Sequence, residues 1–179
     1  MKRAFSFDGL FSKKESVKTG KFLLGFGVCF LALSALLFFV PLSWFEYFFA
    51  AISFFVLNLL GFGGEIVFGE PVLLRLAALS QPIAFSYLCT GLLEAVIVAS
   101  AVASSFGISA KKRALGVLAG IFAIVVFNTA RIVASILIII FAGTGAAAFS
   151  HDLLFRVFLF AAVAGYYFAW FSWATKKPN

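Results

Sequence analysis

The chain has 179 residues, of which 64% are hydrophobic and only 12% are charged, and its formal net charge is +7. A soluble globular domain is usually about 45–50% apolar, so this composition excludes an ordinary soluble protein and predicts an all-α integral membrane protein. The basic residues cluster beside apolar segments, which indicates membrane topology and excludes nucleic acid as the expected partner.

The amino-terminal part of the chain predicts a cytoplasmic tail and a first membrane span. Residues 1–21 are polar and hold six of the fourteen Lys and Arg residues. Residues 22–41 then supply about 20 apolar residues, enough to cross a hydrocarbon core of about 30 Å. No small-residue cleavage site precedes Pro41, so we expect this segment to stay attached. Trp44 fits the far interface.

Residues 43–61 predict an amphipathic helix that lies in the interface or against the bundle. On a helical wheel, the polar and small side chains gather on one side and most large apolar ones on the other. If the chain crosses at 22–41 and next at 88–107, the basic cluster Lys111–Arg113 returns to the cytoplasm with the tail. The alternative, in which 43–61 also crosses, places that cluster outside.

Residues 62–85 predict a short hairpin on the extracytoplasmic side. Two β-prone runs, 65–68 and 72–76, flank a Gly-Glu-Pro sequence that would form the turn. A short helix over residues 71–80 is the alternative. Residues 83–86 then form an extended entry to Cys89, because Gln-Pro precedes them. Three charged residues argue against a span here: Glu65, Glu70 and Arg75.

Three more spans are predicted at residues 88–107, 114–142 and 152–174. The middle one is long enough to tilt or to project from the core. Gly116 and Gly120, four residues apart within it, would allow close helix packing. Basic residues follow the last span, and this positive charge predicts that its carboxyl end lies in the cytoplasm.

The predicted architecture is therefore one membrane-embedded domain over residues 22–175, followed by a cytoplasmic tail at 176–179. It contains about four transmembrane helices, one interfacial amphipathic helix and a short extracytoplasmic hairpin or loop. Both termini are expected in the cytoplasm.

Three chemically capable side chains are predicted to meet at the extracytoplasmic face. With a helical rise of about 1.5 Å per residue, Cys89 lies about 33 Å from Lys111, and Arg131 lies about 26 Å from Ala114. His151 falls in the outer connection before the last span. A guanidinium among apolar residues usually marks a site or a pathway. Alternatively, Cys89 is inert and His151 belongs only to a helix cap.

Arg131 requires a polar partner at its depth. Glu94 is predicted at about the same depth, so a Glu94–Arg131 ion pair is the structural hypothesis for both residues. Asn128 precedes Arg131 by three residues on the same helix face. We expect its amide to hold either the guanidinium or a backbone carbonyl.

Three short motifs resemble those of the exosortase/archaeosortase family. Cys89-Thr90-Gly91 is similar to that family's Cys-(Ser/Ala/Thr)-Gly motif, and Asn128-Thr129-Ala130-Arg131 is similar to its Asn-x-x-Arg motif. His151 corresponds to its His motif, and the three motifs come in the same order. The similarity spans roughly residues 60–175. The chain departs from larger members by lacking their extra amino-terminal helices, and it has Thr90 where Ser is common.

The resemblance implies a membrane cysteine protease and transpeptidase. Its substrates would be exported proteins with a carboxy-terminal sorting signal, which consists of a short motif, a transmembrane helix and a basic tail. The enzyme would cut near the motif and pass the new carboxyl terminus to an acceptor, expected to be a membrane lipid.

The residue types fit that chemistry. Cys89 would attack the scissile carbonyl and form a thioester. His151 would protonate the leaving amine and activate the acceptor, while Arg131 would stabilise the oxyanion or position the substrate. Asn128, Glu94, Thr90 and Gly91 are the supporting residues. No cofactor and no metal are expected, because a single His and one nearby Cys do not make a metal site.

Three alternatives remain open from the sequence. A transporter or channel subunit would use Arg131 and Glu94 along a path and would not need Cys89. An assembly protein would use the same pair to join helices. A lipid acyltransferase would use Cys89 without cutting a peptide.

Overall fold

The fold is mainly helical. The computed structural model describes residues 13–150 and 155–176. Within these residues, four helices are long and apolar enough to cross a membrane, and a fifth apolar helix, α3, is shorter. The helices are α1 (Lys13–Leu37), α2 (Leu42–Leu59), α3 (Leu92–Ala103), α4 (Ala110–Phe149) and α5 (Phe155–Thr175). The predicted all-α polytopic architecture is confirmed.

Three of the four predicted spans correspond to helices that are long and apolar enough to cross, and the fourth does not. The predicted span 88–107 contains only the twelve-residue α3, about 18 Å long at 1.5 Å per residue. This is shorter than a hydrocarbon core of about 30 Å. The predicted interfacial segment 43–61 forms α2, which is itself long and apolar enough to span. Its position in the interface stays a prediction.

The first and third long helices also differ from their predicted bounds. α1 begins at Lys13, within residues predicted as tail, and ends before Pro41, which caps the start of α2. α4 extends beyond the predicted end at residue 142, but a kink at Gly143, with φ 83° and ψ 172°, divides it into two helical parts. This positive φ suits glycine, which lacks the Cβ that makes such angles costly.

The predicted hairpin is confirmed, and the helical alternative for residues 71–80 is wrong. Strands β1 (Gly64–Val67) and β2 (Val72–Leu76) pair antiparallel, and the predicted extended entry forms β3 (Ile83–Phe85) on the other side of β2. Along β2, alternate residues are buried, as expected for a sheet with one face covered.

Two apolar clusters hold the fold together, and α4 contributes to both. The first joins α3, α4 and α5 around Val98, Ile124 and Trp170. A Cβ on Gly116 would collide with the Trp170 ring, and one on Gly120 would lie 2.6 Å from Val98 Cγ1. The close packing expected at these two glycines is therefore confirmed.

The second cluster joins α2, the sheet and the later part of α4. Leu57, Leu74 and Ile136 lie at its centre with almost no exposure. The side of α2 that faces the protein is mixed: its buried residues are Glu46, Phe49, Ala50, Ser53 and Leu57. Most large side chains on the opposite face of α2 are exposed: Trp44, Phe48, Phe55 and Leu59. The predicted amphipathic character of this helix is confirmed.

Candidate functional site

Cys89 is presented by a short turn between β3 and α3. It ends a 3-10 helix, Tyr87–Cys89, and its thiol is half-buried. Ser86 Oγ accepts a hydrogen bond from the Leu88 N–H at 3.3 Å, and Thr90 Oγ1 donates to the Tyr87 carbonyl at 2.6 Å. Hydroxyl side chains on both sides of the thiol therefore fix the turn. A serine at position 90 would carry the same donor.

Gly91 allows this turn to approach α4. Its φ is +69°, a left-handed angle that only glycine adopts readily. A Cβ at this position would lie 3.1 Å from Asn128 Cγ and 3.2 Å from Ile124 Cγ2. The glycine of the Cys-Thr-Gly sequence is thus required by both its backbone angle and its neighbours.

Two side chains of α4 hold the backbone of Cys89. Asn128 Nδ2 donates to the Cys89 carbonyl oxygen at 2.7 Å, and Arg131 Nη2 donates to the same oxygen at 3.1 Å. Asn128 is fully buried and Arg131 is 9% exposed. The expected contact between Asn128 and a backbone carbonyl is confirmed. The expectation that Cys89 and Arg131 come together is confirmed as well.

The same stretch of α4 carries three buried polar atoms without a hydrogen-bond partner among the described residues. They are Asn128 Oδ1, Thr129 Oγ1 and Arg131 Nε. Buried polar groups in proteins are nearly always paired, because an unpaired one costs about 1–3 kcal/mol. Of these three residues, only Arg131 lines the cavity that opens beside Cys89.

A cavity of about 160 Å³ opens beside Cys89 and Arg131. Pockets for drug-sized ligands are usually about 300–1,000 Å³, so this one suits a narrow ligand. Its lining includes three polar or reactive residues, Cys89, Arg131 and Ser135, and the rest is apolar. Ser135 Oγ donates to the Arg131 carbonyl at 2.9 Å. The other lining residues come from β3 and α4: Ile83, Ala84, Phe85, Ile132, Ile136 and Ile139.

The predicted Glu94–Arg131 ion pair is wrong. Among the described residues, the only ion pair joins Arg75 and Glu65, at 3.1 Å on the outer face of the sheet. Arg131 is held by the Cys89 carbonyl instead. Glu94 lies half-buried in the first turn of α3, where the helix dipole favours a carboxylate. Equal depth in the membrane did not imply contact, because depth says nothing of the direction in which each side chain points.

One predicted catalytic residue, His151, lies outside the described residues. In the part of the chain that the structure describes, no three His, Cys, Asp or Glu side chains are grouped closely enough to hold a metal ion.

Two features of the site were missed from the sequence. Ser135 follows Arg131 by four residues, so helical periodicity alone could have placed it on the same face. The wall formed by β3 carried no comparable signal. An extended entry was predicted there, but apolar residues that line a cavity look the same in sequence as those that face lipid.

Together these features define a class: a helical membrane protein that places a thiol and a buried guanidinium on one cavity. No family model, curated protein or solved structure matches the chain.

Proposed function

We propose that the protein is a membrane cysteine protease and transpeptidase of the exosortase/archaeosortase type, which cuts carboxy-terminal sorting signals from exported proteins. One observation carries this proposal: Cys89 and Arg131 line one cavity, while Asn128 and Arg131 both donate to the Cys89 carbonyl. Two motifs separated by some forty residues thus form a single site. A structural arginine would need neither the thiol nor the cavity.

The proposed chemistry begins with the Cys89 thiolate. Its sulfur attacks the scissile carbonyl carbon, the C–N bond breaks, and a thioester forms while His151 protonates the leaving amine. His151 then takes the proton of the acceptor nucleophile, which attacks the thioester and releases the thiolate. A membrane lipid is the proposed acceptor.

Arg131 has two roles in this mechanism. One N–H group holds the Cys89 carbonyl and so fixes the thiol. Arg131 also lines the cavity, and its guanidinium carries further N–H donors besides the one that holds the Cys89 carbonyl. Donors held in place before the reaction stabilise the oxyanion of the tetrahedral intermediate without reorganising. The place of Arg131 on the cavity wall beside Cys89 is the observation that supports the second role.

We propose that both termini lie in the cytoplasm and that the site lies at the opposite face. Lys112 Nζ donates to the Ala174 carbonyl at 2.8 Å, so the basic start of α4 lies beside the end of α5. Phe22, one residue after Lys21, contacts the ring of Tyr167 on α5. Arg131 is about 30 Å along α4 from Lys111, which is one hydrocarbon thickness.

A processing assay in membranes tests the proposed function. An exported protein from the same organism, carrying a motif, a transmembrane helix and a basic tail, would be expressed with the wild type or with a variant. We expect Cys89→Ala to abolish the size shift of this partner at normal enzyme levels. The matched control is Cys29→Ala, which removes the half-buried thiol of α1 and should keep full processing.

Persistent processing by Cys89→Ala would overturn the thiol mechanism. A lipid product formed by the wild type without any peptide cleavage, and lost in Cys89→Ala, would favour the acyltransferase alternative. The assembly alternative depended on a Glu94–Arg131 pair, and the two residues do not pair. Full function of Cys89→Ala would favour the transport alternative.

A further inference from the structure

One edge of the sheet is left open beside the thiol. β3 is the last strand in the order β1-β2-β3 and pairs only with β2. On its other side, no described residue forms a backbone hydrogen bond with Ile83, Ala84 or Phe85. An unpaired strand edge is a template for another extended chain, because its N–H and C=O groups need partners.

This open edge belongs to the cavity. All three residues of β3 line it, and α4 forms the opposite wall from Arg131 to Ile139. From Arg131 to Ile139 the helix rises about 12 Å, which matches three or four residues of extended peptide at about 3.3 Å each. The space between β3 and α4 is therefore as long as a short strand.

The end of the cavity beside Cys89 favours a ligand with an oxygen acceptor. Arg131 is buried and lines the cavity there, and its guanidinium has N–H donors beyond the one that holds the Cys89 carbonyl. A peptide carbonyl is such an acceptor, and the carbonyl under attack would lie at this end, next to Cys89. An apolar lipid chain would fill the isoleucine-lined part but would leave the edge of β3 unpaired.

We propose that the substrate binds by strand addition, with the three or four residues before the scissile bond paired to the free edge of β3. The peptide runs parallel to β3, since β3 itself leads to Cys89 four residues later. The reverse direction would put the residues after the cut into the cavity. In a sorting signal those residues enter a transmembrane helix, which cannot pair with a strand. This inference rests on the proposed function for the identity of the peptide.

The test uses acetylated oligoalanine chloromethyl ketones with one to five residues as probes. The Cys89 thiolate displaces chloride from the ketone methylene, forming a thioether. The rate would be followed by mass spectrometry on the full chain in detergent, in a Cys29→Ser background. Iodoacetamide, which has no peptide, reports the reactivity of the thiol itself. We expect the rate relative to iodoacetamide to rise about tenfold or more up to three or four residues and then to level off.

N-methylation of single residues in the longest probe distinguishes strand pairing from simple occupancy. In a strand, only alternate residues direct their N–H and C=O groups to a given neighbour. We therefore expect every second N-methyl group to slow labelling about tenfold and the others to change it less than about twofold, as one lost hydrogen bond and its displaced backbone imply. Equal effects at every position, or rates independent of length, would overturn the proposal.

Two further variants and one exchange experiment complete the test. Ile139→Trp should block the far end of the cavity and slow the long probes without changing iodoacetamide labelling. Phe122→Trp, an exposed site on α4 away from the cavity, should change neither. For Cys89→Ala, acetyl-tetra-alanine amide should slow hydrogen exchange of the β3 amides. Unchanged exchange would contradict strand addition even if the thiol itself were unreactive.

The two proposals fail separately. Processing of the exported partner without the alternating N-methyl pattern would remove strand addition and leave the protease. The alternating pattern without processing would remove the protease and leave a peptide-binding cleft.

Discussion

The helix α4 carries two arginines that hold the backbone at opposite ends of α3. Arg113 Nη1 donates to the carbonyl of Ala103, the last residue of α3, at 2.7 Å. Arg131 Nη2 donates to the carbonyl of Cys89, just before α3 begins, at 3.1 Å. The carboxyl end of a helix attracts cations and leaves carbonyls unpaired, whereas its amino end opposes positive charge. Helix capping accounts for Arg113 but not for Arg131.

The surroundings of the two arginines also differ, in how many polar groups are paired. Near Arg113, polar side chains find partners: Ser105 Oγ lies 3.0 Å from Tyr167 Oη, and Trp170 Nε1 donates to the Lys112 carbonyl at 3.3 Å. Only the Nε of Arg113 itself is unpaired there. Near Arg131, three polar atoms are unpaired and a cavity opens. We therefore assign a role in stability to the carboxyl end of α3 and, in our proposal, a role in chemistry to its amino end.

Replacing each arginine by lysine gives the largest expected difference. Lysine keeps the charge but cannot hold the Cys89 carbonyl and present a second fixed N–H group to the cavity. We expect Arg131→Lys to lower the processing rate about 100-fold or more, as loss of an oxyanion donor does. Arg113→Lys should leave the rate within about twofold. The measurement is the initial rate of partner cleavage.

Thermal unfolding in detergent provides the control for this pair. If Arg131 acted only by holding α3, both variants would lose stability and activity in parallel. A variant Arg131→Lys with wild-type processing would remove the difference between the two ends of α3.

Two glycines with positive φ allow the free-energy cost of backbone strain to be measured separately from the cost of close packing at the site. Gly91 has φ +69° and close neighbours on α4, while Gly107, in the loop after α3, has φ +89° and open space around it. Alanine at a left-handed position costs about 1–2 kcal/mol by itself. We expect Gly107→Ala to show only that cost in unfolding experiments.

Gly91→Ala should lose about 1 kcal/mol more, because its Cβ presses on Asn128 and Ile124. Its processing rate should also fall at least about tenfold, since Asn128 would no longer hold the Cys89 carbonyl correctly. Equal stability and equal activity of the two variants would show that contact with α4 at Gly91 is unimportant.

The sequence was enough to predict the apolar helices, the hairpin and the meeting of Cys89 with Arg131, because hydrophobicity, turn residues and helical rise are local properties. It misassigned the span at 88–107, because Gly91 and the serines after Ala103 shorten a helix whose apolar composition continues beyond it. It also paired Arg131 with Glu94, because side-chain direction depends on how α3 and α4 pack. The wall formed by β3 needed the sheet register, which apolar composition does not encode.

Packing at the other end of α3 predicts a smaller effect that does not involve the site. Gly116→Ala would place a methyl group against the Trp170 ring, and overpacking of this kind costs about 1–3 kcal/mol. The matched control is Gly165→Ala on α5, where nothing lies within 4 Å and the helix should gain up to about 1 kcal/mol. Opposite shifts in the unfolding temperature are expected. Destabilisation by both variants would show that the glycines act through something other than close packing.

Glu94→Gln should have the smallest effect, because Glu94 forms no ion pair with Arg131. Loss of its charge in the first turn of α3 removes a dipole interaction worth about 0.3–1 kcal/mol, and processing should stay within about twofold. A double-mutant cycle with Arg131→Lys measures any coupling directly. We expect a coupling energy below about 0.5 kcal/mol, as for residues that do not interact. A coupling well above 1 kcal/mol would restore the ion pair, and Arg131 would then have a structural partner like that of Arg113.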